Sequence, residues 1–208
     1  MNLFQPETKK EMDLFIILYV LLCIRNVYST FTRFDCKPRY HFWKPYTGFI
    51  PEDAWIASER TGNVYVAKII PLDENSWSHA GQITRAYDFV DWTWPRKEKL
   101  RVDRFLEILC TKPEDKKKLK WRHISDVSDM RVAESYCCLV ESGMTMRKGL
   151  LHFAYIGRKF VNGQFFVGPV YLKHDWFFPN GLYTVQDRQS VVYDEEFDIL
   201  HYGCTRDD

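Results

Sequence analysis

Asp88 and Asp91 stand three residues apart among Phe89, Trp92 and Trp94. Paired carboxyls beside aromatic rings are the raw material of glycoside chemistry, in which one acid protonates the leaving oxygen and the other attacks or activates water. Two acids in one loop define no such geometry, so they do not by themselves indicate an enzyme. The rings of 89–95, and those of a second cluster at Trp176-Phe177-Phe178-Pro179, fall in expected loops. There they either stack on sugars, anchor a protein partner, or plug the interior. His79, His123, His152, His174 and His201 are scattered, and no Gly-x-Ser-x-Gly elbow accompanies them. No Cys-x-x-Cys or His-x-x-His spacing occurs either, so no metal or cofactor is expected. The expectation is a binding protein without catalytic residues.

The elements that would hold such residues read as short strands. Alternating or β-branched runs cover 55–57, 64–70, 82–85, 105–109, 137–140, 150–156, 168–172, 190–193 and 197–202. Turn residues punctuate them at Arg60-Thr61-Gly62-Asn63, Val161-Asn162-Gly163 and Phe178-Pro179-Asn180-Gly181. Strands at this spacing argue for an all-β sandwich-like or barrel-like module. Beyond the N-terminal region, the one helical candidate lies at 113–118.

Residues 14–24 form an uninterrupted apolar run, too short to span a bilayer and suited to a signal-peptide core. Lys9 and Lys10 precede it, offset by Glu11 and Asp13, and Met12 is an alternative start. Cleavage is expected after Ser29, making 1–29 a signal peptide, the protein secreted, and membrane insertion absent. The whole chain carries 29 basic and 28 acidic residues, and the signal removes three of each. That balance leaves no electrostatic footprint for nucleic acid or anionic membranes. Lys116, Lys117, Lys118, Lys120 and Arg122 form the densest basic run, read as a solvated linker over 111–120.

Five of the six cysteines lie beyond the signal, so at least one is unpaired or pairs between chains. Cys36 and Cys204 flank the repeats described next, and a bridge between them would tie the module's ends together. Cys137 and Cys138 should point to opposite faces of a strand and not bond each other. Cys110 either partners one of them or stays buried as a small hydrophobe.

Residues 41–110 and 121–204 read as two copies of one unit. Trp43, Gly48, Ile50, Pro51 and Ala54 open the first, followed by Val64-Tyr65-Val66-Ala67-Lys68, Gly81 and Leu106-Glu107-Ile108-Leu109. The second answers with Trp121, then Val132 and Ala133 in the places of Ile50 and Pro51. It continues with Ala154-Tyr155-Ile156-Gly157-Arg158, Gly168 and Phe197-Asp198-Ile199-Leu200. Tyr65 and Tyr155 occupy matched strand positions and read as packing residues. The spacing between matched residues grows from 78 at the tryptophans to 91 at the last leucines, as surface-loop insertions allow.

This order of residues resembles the DM-nine tandem repeat, found in insect proteins of unassigned function, natterin-type proteins and molluscan mannose-binding lectins. The resemblance covers nearly all of the chain beyond residue 41 and is weakest at the start of the second copy. It leaves no residues for an aerolysin-like pore domain. It implies two tandem pseudo-symmetric antiparallel β repeats packed as one sandwich-like module. In the similar lectins a carboxylate after the Gly-x-x-Pro-x-x-Ala segment and a Lys after the later Gly hold vicinal sugar hydroxyls by charge-assisted bonds. Those positions fall here on Glu59 and Gln82, and in the second copy on Glu141 and Pro169. Gln82 lacks the charge, which Arg60 or Lys68 would have to supply, and Pro169 offers neither charge nor donor.

Two functions follow as expectations. One is a secreted, mannose-type carbohydrate-binding protein that recognises microbial surface glycans. The other is a secreted protein-interaction or structural module of the same fold that has lost the sugar. A homodimer would double the sites in the first case.

Overall fold

The computed structural model describes residues 36, 39–59, 62–69, 79–84, 87–93, 99–102, 105–147, 150–172, 180–186 and 189–204. The apolar run at 14–24, Arg60 and the aromatic cluster at 176–179 lie outside them. The architecture is all-β, with two antiparallel sheets drawn from successive halves of the chain.

The first sheet contains β1 (Phe42–Pro45), β2 (Ile56–Ser58), β3 (Val64–Ile69), β4 (Ala80–Thr84), β5 (Tyr87–Thr93), β6 (Lys99–Val102) and β7 (Leu106–Cys110). Its order is β1-β7-β3-β4-β5-β6, with β2 on β3. A short 3-10 helix, Pro113–Lys118, leads to the second sheet. Thr111 and Leu119 are buried on either side of it, while Lys116, Lys117 and Lys118 are exposed. The second sheet contains β8 (Lys120–Ile124), β9 (Cys137–Leu139), β10 (Glu141–Arg147), β11 (Leu150–Val161), β12 (Gln164–Tyr171), β13 (Gly181–Gln186), β14 (Gln189–Tyr193) and β15 (Phe197–Cys204). Its order is β14-β13-β12-β11-β15-β8, with β10 on β11 and β9 on β15.

Register makes the repetition explicit. Trp43 faces Leu109 as Trp121 faces Leu200. Ala67 faces Ile108 and Gly81, just as Gly157 faces Ile199 and Gly168. Both β2 and β10 slip by a bulge against the tyrosine strand, between Ile56 and Ser58 and between Glu141 and Gly143. The residue before each closing strand, Phe105 or Glu196, takes a positive φ of 54° or 56°. That left-handed conformation is uncommon outside glycine and recurs here at one structural position.

Strand β3 is apolar at every buried position because both its faces are covered. Val64 and Val66 join Trp55, Leu109, Val140, Ile156, Val167 and Leu200 in the core between the sheets. Tyr65 and Ala67 turn the other way, toward Ile83, Leu106, Ile108 and Cys110. Tyr155 does the same in the second half, packing with Met130, Ala133, Leu182, Phe197 and Ile199. Both matched tyrosines are thus core residues, 3% and 7% exposed.

Several expectations need correction. Val132 and Ala133 lie on an α-helix, α1 (Val127–Tyr136), which has no counterpart among the described residues of the first copy. There Pro51 instead accepts a turn hydrogen bond from Ala54 N–H. Asp126 caps α1 by accepting from the Ser128 and Asp129 amides, and Asp129 returns to the Ser125 amide. Met130 and Ala133, three apart, face the core. Five of its ten residues are apolar, but Val132 and Tyr136 stand off the Met130–Ala133 face and blur the period, while Ser125-Asp126-x-Ser128-Asp129 is a legible cap. Residues 89–93 lie on β5, not in a loop. Strands β1, β6, β8, β10 and β13 were also not read from the sequence.

Candidate functional site

The residues singled out for sugar binding are not brought together. Glu59 directly follows β2 and is exposed. Gln82, paired with Val66 on β4, turns toward the other sheet, where its Oε1 accepts a hydrogen bond from Val167 N–H at 3.0 Å. Its side chain therefore satisfies a backbone donor across the interface between the halves. Lys68 is likewise committed: its Nζ lies 3.0 Å from Glu107 and 4.4 Å from the centre of the Trp43 ring.

Glu141 is exposed but is not the counterpart of Glu59. It faces Tyr155 as Ile56 faces Tyr65, and past the shared bulge Gly143 matches Ser58. The position equivalent to Glu59 is therefore Met144. Counting along the chain missed this because the insertions that precede β9 shift the offset between copies. Pro169 sits opposite Ile156, the place that Gln82 holds opposite Val66.

The register that separates these residues assembles others. Arg158 is the counterpart of Lys68, and it holds a matching set of partners. Its Nε donates to Asp198 at 2.9 Å, and its guanidinium lies 4.3 Å from the Trp121 ring centre and 4.4 Å from that of Phe165. Its Nη1 also donates to the Ala57 carbonyl at 2.6 Å, joining the second half to β2 of the first. Each copy thus carries a cation between a tryptophan on its first strand and a carboxylate on its last. A guanidinium's planar fork can stack on rings and donate in its own plane together, which an ammonium cannot. The side chains of Arg158 and Asp198 are 18% and 24% exposed, so the cluster is part of the packing rather than an open ligand platform.

A second link between halves is buried. Tyr171 Oη and His79 Nδ1 are hydrogen-bonded at 2.8 Å, and Tyr183 meets Tyr171 edge to face at 5.3 Å. Burial pushes the His79 pKa down to about 3 and raises that of Tyr171, so both are neutral near pH 7.

Cysteine pairing differs from the expected Cys36–Cys204 bridge. Cys204 bonds Cys137 across β15 and β9. Cys36 and Cys138 are each disulfide-bonded as well. The vicinal pair does not bond internally because the two thiols leave opposite faces of β9, Cys137 being buried and Cys138 half-buried. Cys110 is a buried free thiol. Burial and the neighbouring Asp53 carboxylate push its pKa up to about 12, so it behaves as a hydrophobe. Among the described residues Cys137, His201 and Cys204 converge, with ligand atoms within 4.8 Å of one another.

The chain matches no protein-family model, and a search of curated proteins finds no match to it.

Proposed function

We propose that the protein is an extracellular interaction module that uses a two-copy β fold without an assembled mannose-type site. One observation carries this reading. The residue that should complete the site beside Glu59 is Gln82, and its amide oxygen is spent on Val167 N–H across the two halves. Lys68 is spent on Glu107 and Trp43, so neither group is poised to hold vicinal hydroxyls. The Cys137–Cys204 disulfide and the further disulfide-bonded cysteines favour an oxidising compartment. No helix among the described residues is long and apolar enough to cross a membrane.

The second reading, a mannose-type lectin, is favoured by the exposed carboxylate of Glu59 directly after β2. Retention of the secreted chain on mannan and on a broad glycan panel, with Glu59→Ala alongside, separates the two. The interaction-module reading expects no retention that free sugar competes. Competed retention that disappears in Glu59→Ala would replace it with the lectin.

A further inference from the structure

We propose that Cys137, His201 and Cys204 form a redox-gated site for a thiophilic divalent cation such as zinc, closed while the two sulfurs are bonded and open once they are reduced. His201 and Cys204 are three residues apart and would leave opposite faces of a regular strand. A bulge in β15 removes that obstacle. Leu139 faces His201 and Cys137 faces Cys204, so two steps on β9 answer three on β15. The extra residue turns His201 and Cys204 to one side, where His201 Nδ1 lies 3.2 Å from Cys204 Sγ. Cys137 Sγ completes a two-sulfur, one-nitrogen set.

This donor set suits zinc, which accepts Cys and His together and is commonly held by three protein ligands and a fourth group from solvent. His201 and Cys137 are each 5% exposed, and half-buried Cys204 leaves the outward position for water. Arg122 Nη1 lies 3.9 Å from Cys137 Sγ, a cation that favours the thiolate a metal needs. Two Zn–S bonds of about 2.3 Å at a tetrahedral angle set the sulfurs about 3.8 Å apart. They reach that separation only after the disulfide is cleaved.

The chemistry balances with a dithiol as reductant. It delivers two electrons and two protons to the Cys137–Cys204 bond and leaves as its own disulfide. The cation then displaces one proton from each thiol and takes the neutral imidazole through Nδ1. Crosslink and metal are mutually exclusive ways of joining β9 to β15.

Cobalt titration of the full chain, reduced with a phosphine and desalted without oxygen, tests this directly. One equivalent should give the visible bands of tetrahedral cobalt and thiolate charge transfer in the near ultraviolet, and the oxidised chain should give neither. Cys138→Ser should retain both signals. Cys204→Ser should lose most of the charge transfer, and His201→Gln, which keeps both thiols, should weaken binding by at least about tenfold. Zinc should also raise the melting temperature of the reduced wild type even if reduction loosens the sheet. Absence of the cobalt spectrum, a spectrum unchanged in His201→Gln and Cys204→Ser, or an unshifted melting temperature would overturn the site.

Discussion

Truncating Arg158 to alanine should be among the most damaging single changes at the boundary between the halves. The side chain donates to Asp198 at 2.9 Å and to the Ala57 carbonyl at 2.6 Å. Hydrogen bonds to a charged group contribute about 1.5–3 kcal/mol each before rehydration is counted. Contacts with the Trp121 and Phe165 rings add about 0.5–1 kcal/mol apiece. Water can reach Asp198, 24% exposed, and recovers part of its loss, which brings the net cost to about 3 kcal/mol. Lys68 provides the internal control. It holds the equivalent place with one carboxylate and one ring, so Lys68→Ala should cost about 1–1.5 kcal/mol. Arg158→Lys should fall between, keeping Asp198 while giving up Ala57. Urea denaturation followed by tryptophan fluorescence reads all three, and for a chain of this size 3 kcal/mol corresponds to about 6–12 °C in melting temperature. If Arg158→Ala costs no more than Lys68→Ala, the contact with Ala57 does not hold the halves together and the reasoning fails.

Other expectations follow from single contacts. A Cβ at position 168 would sit 1.8 Å from Tyr183 O, whereas at 203 it meets nothing within 4 Å. Gly168→Ala should therefore cost about 3 kcal/mol or more and Gly203→Ala little, as compared by thermal melts. Gln82→Leu leaves the Val167 amide unsatisfied and should cost about 1–3 kcal/mol in urea, a loss that a surface sugar ligand would not show. Because the folded His79 pKa is depressed to about 3 from 6.5, the unfolded chain binds the extra proton between those values. Its contribution is intact above pH 6.5 and drains as pH falls toward 3, at up to about 1.4 kcal/mol per pH unit. His79→Gln should flatten the acid limb of the stability profile by that slope, and an unchanged limb would show His79 to be accessible to protons. Cys110 should resist alkylation in the native chain and react only in denaturant, checked by peptide mapping.

The sequence by itself was enough to establish the repeat and the all-β class. Tyr65 with Tyr155, Gly81 with Gly168, and Leu109 with Leu200 are matched side chains on strands, where a period of two and a common register leave a readable trace. It also marked a short helical stretch at 113–118 and the divergence of Cys137 from Cys138, both local properties. Strand β5 escaped because its aromatic and acidic residues looked like a ligand loop, and α1 because tertiary contacts to Met130 and Ala133 outweigh its weak period. The binding constellation could not be read along the chain at all. Whether Gln82 reaches a sugar or Val167, and whether Arg158 spans to Ala57, depends on how one sheet lies on the other. Glu141 was misaligned by insertions that only hydrogen-bond register corrects. The meeting of His201, Cys204 and Cys137 rests on a bulge, one surplus residue whose effect on side-chain direction appears only when two strands are laid together.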